Sequence, residues 1–142
     1  MLWDPIRLLW VKATPEEEVR QKLIQRMISE LGFPKGLIGV EKDLASLVEK
    51  MDVDPNRRID LICYTPVKEK IVPLLIAECK AQGIGKDAEN QVLGYNEAIG
   101  APFICLANAK EVKTLWREPG KIASVPFLPT YAQLVEKRCL FF

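Results

Sequence analysis

The sequence predicts an α/β fold built on one mixed sheet, and three observations carry that prediction. An apolar stripe at helical spacing comes early; two β-rich runs follow with the spacing of a hairpin; a second helix then leads into an uninterrupted apolar strand. At 142 residues the chain is expected to form one domain, 1–142, burying roughly two thirds of its unfolded surface without metal or disulfide staples.

The first helix is predicted over Thr14–Leu31. Thr14 suits the N-cap, Pro15 the first helical position, and Glu17 completes a T-x-x-E capping box; Gly32 and Pro34 end the element. Val19, Leu23, Ile24, Met27, Ile28 and Leu31 form its apolar stripe. Leu37–Val40 reads as a short strand, and Met51–Arg58 as a polar turn. The runs Ile59–Thr65 and Ile71–Lys80 are expected to pair across a loop of about five residues, PVKEK, with Pro73 at an edge or a bulge. Asp87–Ile99 is a helix ended by Gly100, and Ala101–Ala107 is a buried strand. Beyond it the sequence offers a short strand near Thr114–Arg117 and a helix around Tyr131–Lys137.

Composition removes several kinds of chemistry. The chain has no histidine, which excludes Ser-His-Asp and Cys-His catalysis and every histidine metal site. Twenty basic against nineteen acidic residues leave a net charge of +1, so any nucleic-acid site must be a local patch. Cys63, Cys79 and Cys105 lie in apolar runs and, with Cys139, form no C-x-x-C pair; buried reduced thiols and a cytoplasmic location are expected. No apolar run approaches the roughly 20 residues of a membrane helix, and the N-terminus lacks the features of a signal peptide, so no membrane partner is expected. Large apolar groups near both ends, LLW and CLFF, could seed a homodimer or pack on the protein's own sheet.

Charged residues inside apolar strands are the anomaly that points to chemistry, because an unpaired buried charge is costly. Asp60 interrupts RIDLICY, and Glu78 and Lys80 interrupt LLIAECKA, sharing one strand face with Cys79 on the other. A hairpin centred on Glu69 sets Asp60 directly opposite Glu78, with Cβ atoms about 5 Å apart. Two such carboxylates repel unless a cation lies between them, and oxygen donors point to Mg²⁺ or Mn²⁺. A strand-end salt-bridge cluster of Asp60, Glu78 and Lys80 explains the same spacing equally well. On a helical wheel with Val19 at the origin, Glu16 falls at about 60° and Arg20 at about 100°, under the apolar stripe. Glu17 has capping to explain it and Glu18 has solvent, which leaves Glu16 as the inward acid. Gln91 and Tyr95 are i,i+4 neighbours on the second helix.

Together these blocks resemble the PD-(D/E)xK nuclease superfamily. More narrowly, TPEEEVRQKLI, RRIDLICY, PLLIAECKA and QVLGYN resemble the N-terminal nuclease domain of type I restriction enzyme motor subunits, over about Asp4 to Asn108. The resemblance implies a restriction-endonuclease-like core of αβββαβ order over about 14–108, with a C-terminal extension at 109–142. It implies that Asp60, Glu78 and Glu16 hold Mg²⁺ or Mn²⁺, that Lys80 orients or activates the attacking water, and that Gln91 positions Lys80 or DNA. Tyr95 would contact the strand, and Arg57, Arg58 and Lys86 could supply phosphate contacts. The implied activity is metal-dependent hydrolysis of DNA phosphodiester bonds, with motor or specificity subunits as further partners; the alternative is a non-catalytic nucleic-acid-binding or assembly module on the same fold. Two details depart from the pattern: Ile59 precedes Asp60 where the superfamily name has proline, and Asn108 is followed by Ala109 where the family often has glycine. No G-x-x-x-x-G-K-[ST] is present, so no ATP-driven motor is expected within these residues.

Overall fold

The computed structural model describes residues 1–47 and 57–141. The expected polar turn at 51–58 therefore lies outside the described residues, apart from Arg57 and Arg58.

The chain opens with a small antiparallel hairpin, β1 (Leu2–Asp4) and β2 (Leu9–Val11), which the sequence reading did not foresee. Helix α1 (Pro15–Ser29) follows, and the Oγ1 of Thr14 accepts from the Glu17 backbone N–H at 3.1 Å, as an N-cap should. Strand β3 (Ile38–Asp43) leads to a four-residue helical turn, α2 (Leu44–Leu47). The long hairpin comes next, β4 (Arg58–Val67) and β5 (Lys70–Cys79). Helix α3 (Lys86–Ile99) ends on Gly100, whose φ of 76° is the left-handed conformation a glycine adopts at no steric cost. Strands β6 (Phe103–Ala107), β7 (Val112–Glu118) and β8 (Lys121–Val125) and helix α4 (Tyr131–Phe141) complete the chain.

The six strands β3 to β8 form one mixed sheet in chain order. Every neighbouring pair is antiparallel except β5 and β6, which run parallel because α3 carries the chain across between them. The αβββαβ order is thus present. The segment after Asn108 is part of the same sheet: β7 pairs with β6, and the Tyr131 hydroxyl at the start of α4 donates to Thr65 Oγ1 at 3.0 Å.

Strand alternation separates two apolar layers. Leu75, Ala77 and Cys79 of β5 face Val19, Leu23, Ile24 and Met27 of α1, with Leu134 of α4 in the same layer. Ile76 faces the other way, with Ile104, Leu106 and Val92 of α3. Cys63, Cys79 and Cys105 are buried as expected, while Cys139 is exposed. Among the described residues no helix is long and apolar enough to cross a membrane. Trp3 and Trp10 meet edge to face on the first hairpin with ring centres 5.3 Å apart, and they and Leu140 remain exposed.

The β4–β5 connection corrects the expected five-residue loop. Pro66 and Val67 stay in the strand, and only Lys68 and Glu69 turn, with Lys68 at a positive φ of 58°. The turn centre thus lies half a residue before Glu69. A bulge at Leu74, between Pro73 and Leu75, restores the offset, so beyond it Cys63 faces Leu75 and Leu61 faces Ala77. Proline cannot donate to a ladder, and Pro73 beside a bulge is where such a residue is tolerated.

Candidate active site

Asp60 stands one residue beyond the last paired position of the β4–β5 ladder, level with Glu78. There its side chain takes over from the backbone: Asp60 Oδ2 accepts from the Cys79 backbone N–H at 2.8 Å. Ile59 and Ile62 both enter the α3 layer, so β4 does not alternate regularly through Asp60. Glu78 lies on the α3 face, as its parity with Ile76 requires, and is only 5% exposed. Glu41 of β3 falls between the pairs Val40–Leu61 and Lys42–Ile59, which sets it opposite Asp60 from the other side. Its φ is 51°, a left-handed conformation that costs a non-glycine residue about 1–2 kcal/mol.

The two carboxylates have unequal surroundings. Asp60 is held by the Cys79 N–H and by Arg20 of α1, whose Nη2 lies 3.1 Å from Oδ1. Glu78 Oε1 has no such partner. Burial first and the Asp60 charge second push its carboxyl up to about 7, against the opposing pull of Tyr95, Arg57 and Lys80. Glu78 Oε1 and the Tyr95 hydroxyl are both sealed from solvent without a well-formed hydrogen bond, although each influences the other's ionisation. Burial and then the Glu78 charge push the Tyr95 hydroxyl well above its ordinary range.

Lys80 follows β5, its backbone N–H donating to the Ala107 carbonyl at 2.8 Å. Its Nζ lies 3.5 Å from Gln91 Oε1. Arg57 lies over the Tyr95 ring, with Cζ 4.1 Å from the ring centre, and its charge acts on Glu78. The fold therefore gathers Asp60, Glu78, Lys80, Gln91, Tyr95 and Arg57. Arg58 and Lys86 are not drawn in. Arg58 reaches Asp43 at 3.3 Å, and Lys86 is largely exposed, 3.9 Å from Glu89.

Glu16 is the clear correction: it is exposed, and the inward acid of α1 is Glu17. Glu16 shares the wheel angle of the apolar stripe but precedes Val19, the first buried apolar residue of that stripe. Glu17 does not return a capping bond to Thr14. Its carboxylate instead pairs with Arg7 and, at 2.7 Å, with Arg20 Nη1. Arg20 is 7% exposed at its side chain and joins Glu17, Glu41 at 3.2 Å and Asp60 at 3.1 Å. Sequence reasoning missed Arg7, Glu17 and Glu41. A usable signal was present in Arg20, because an arginine under an apolar stripe requires buried acids around it.

The donor set suits a hard divalent cation in part. Asp60 and Glu78 offer adjacent carboxylates, and the unpartnered Glu78 Oε1 is a buried acceptor that a cation would satisfy. Among the described residues no three Asp, Glu or Cys side chains converge closely enough to hold an ion alone. Magnesium commonly keeps several waters and substrate phosphate oxygens beside one or two carboxylates, so two protein ligands are sufficient for it.

Comparison with known proteins gives a family and a fold. Residues 15–129 match the family described as the type I restriction enzyme R protein N terminus. Among solved structures, a fragment of an HsdR subunit of a type I restriction enzyme from Vibrio vulnificus YJ016 has a similar fold. Its TM-score is 0.56 at 16% identity over 82% of this chain, which spans 24% of that fragment. No curated protein matches the sequence.

Proposed function

The chain belongs to the type I restriction enzyme R protein N-terminus family, and from that premise we propose that it is a metal-dependent nuclease domain hydrolysing DNA phosphodiester bonds. The observation that carries this reading is the pairing of Glu78, buried and lacking a partner at Oε1, with Asp60 beside it and Lys80 two residues on. Asp60 and Glu78 would hold Mg²⁺ or Mn²⁺. When bound, such an ion supplies Lewis-acid polarisation of a phosphoryl oxygen and a lowered pKa for water. Lys80 presents a compact cation where charge accumulates on the scissile phosphate and orients the attacking water. Gln91 steadies the Lys80 ammonium through its amide oxygen, and Tyr95 keeps Arg57 beside Glu78, from where the guanidinium can reach a phosphate. Motor or specificity subunits would supply what the remainder of the longer relatives provides.

The test is cleavage of supercoiled and linear DNA with Mg²⁺ or Mn²⁺ by wild type, Glu78→Ala and Lys80→Ala. Wild-type cleavage that falls at least about a hundredfold in both variants supports the reading. Folded variants that cut at the wild-type rate remove it. One observation favours a non-catalytic binding or assembly module instead: Asp60 is already ion-paired with Arg20. That reading predicts DNA left intact by the wild type and DNA binding that survives Asp60→Ala.

A further inference from the structure

We propose that Arg20 is the positioning residue for Asp60, and that the first hairpin, through Arg7, belongs to the machinery that holds Arg20. The proposal rests on the metal-dependent reading above for its consequence, but its geometry stands apart from it. Arg20 and Arg7 grip the same two acids oxygen by oxygen. Glu17 gives Oε2 to Arg20 and Oε1 to Arg7; Glu41 gives Oε1 to Arg20 at 3.2 Å and Oε2 to Arg7 at 3.0 Å. The result is a closed square of ion pairs, Arg7–Glu17–Arg20–Glu41, in which Arg20 uses Nη1, while its Nη2 reaches out of the square to Asp60 and its Nε is buried without a hydrogen-bond partner.

The square is anchored in the hairpin by Asp4, which is fully buried. Asp4 Oδ2 takes Arg7 Nε at 2.7 Å and Gln21 Nε2 at 2.9 Å, while Oδ1 takes the backbone N–H groups of Ile6 and Arg7 at 2.8 and 2.9 Å. Every acceptor oxygen of Asp4 is thus used to fix Arg7, and the hairpin lies before residue 15, outside the matched family region. A ligand carboxylate that is itself hydrogen-bonded is fixed in the orientation the cation requires, and loss of such support typically costs 10- to 100-fold in metal affinity. Only a planar guanidinium can bridge three carboxylates in this way, so lysine keeps the charge and loses the geometry.

The experiment compares Arg20→Lys and Arg7→Lys with wild type in two readouts. One is hydrogen exchange of the Cys79 amide, which Asp60 accepts and which needs no metal. The other is Mn²⁺ affinity without DNA, followed by the electron paramagnetic resonance of free Mn²⁺. For Arg20→Lys the expected results are Cys79 exchange faster by about tenfold and Mn²⁺ binding weaker by roughly 10- to 100-fold. Arg7→Lys, which touches neither Asp60 nor Cys79, is expected to move both in the same direction by a smaller factor. It also carries the test should Arg20→Lys fail to fold. Wild-type values in both readouts for folded variants overturn the proposal, and wild-type values in Arg7→Lys alone overturn the part played by the hairpin. Faster Cys79 exchange in both variants, from a wild type that binds no Mn²⁺, supports the positioning of Asp60 and refutes the metal-dependent function instead.

Discussion

Replacing Glu78 with glutamine is expected to stabilise the metal-free protein at alkaline pH. Burial and the Asp60 charge raise the Glu78 carboxyl from 4.5 to about 7, so the folded state holds a proton that the unfolded state has released. Stability from this group is complete below about pH 4.5 and is lost as pH rises through about 7. At 1.36 kcal/mol per unit, the cost of ionising Glu78 above pH 7 is roughly 3 kcal/mol. Glu78 is only 5% exposed, so little of this is screened by solvent. Glutamine keeps the shape and cannot ionise. In urea titrations with EDTA, Glu78→Gln should exceed wild type by about 2–3 kcal/mol more at pH 8 than at pH 5. At this chain length the full effect corresponds to roughly 6–12 °C in Tm. A gap between the two proteins that is the same at pH 5 and pH 8 would refute the reasoning, because it would mean that the carboxyl loses its proton equally easily in both states.

Three further outcomes follow from the same geometry. Tyr95→Phe removes a buried hydroxyl that has no well-formed hydrogen bond and is expected to be neutral to about 1 kcal/mol stabilising in urea; a loss above about 2 kcal/mol would mean that the hydroxyl is paired. Glu17→Ala leaves Arg7 and Arg20 without a shared buried acid and should cost about 3–5 kcal/mol, whereas exposed Glu16→Ala should change both melting and DNA cleavage by little; the reverse order would restore Glu16 as the inward acid. Gly100→Ala should cost about 1 kcal/mol, since its φ is 76° and nothing lies within 4 Å of the added methyl; calorimetry that finds no loss would show that the backbone relaxes there.

What was legible in the sequence was whatever depends on local period. The pairing level of Asp60 and Glu78 followed from strand alternation and an assumed turn centre, and the observed level is the same. It is the same for a partly different reason, since the true turn centre is half a residue earlier and the Leu74 bulge shifts the strand back. Taken without the bulge, the true turn would have set Asp60 opposite Ala77 and moved Glu78 out of line. The α3 boundary at Gly100 was legible for the same local reason, whereas a role for Gln91 beside Lys80 or DNA came only from the family resemblance and not from spacing. Glu16 against Glu17 was not. A helical wheel gives direction around an axis but does not say where the neighbouring layer ends, and what selects Glu17 is Arg7, ten positions earlier on a hairpin of two three-residue strands. Strands that short carry no periodic signal of their own.

The two acids of the site thus divide two tasks that one carboxylate could not perform together. Asp60 has both oxygens engaged by fixed donors, Arg20 and the Cys79 N–H, so its orientation is determined before any ligand arrives. Glu78 has an oxygen buried without a partner and a carboxyl raised toward neutrality, so its negative charge is unfavourable until a cation or proton is close. A pair of equally satisfied acids would have little reason to attract a cation, and a pair of equally strained ones would lower the stability of the strands that carry them. Within this pair of acids the unpartnered oxygen belongs to Glu78, and Asp60 is held by Arg20 and the Cys79 N–H, which leaves one specific place where added positive charge is favourable.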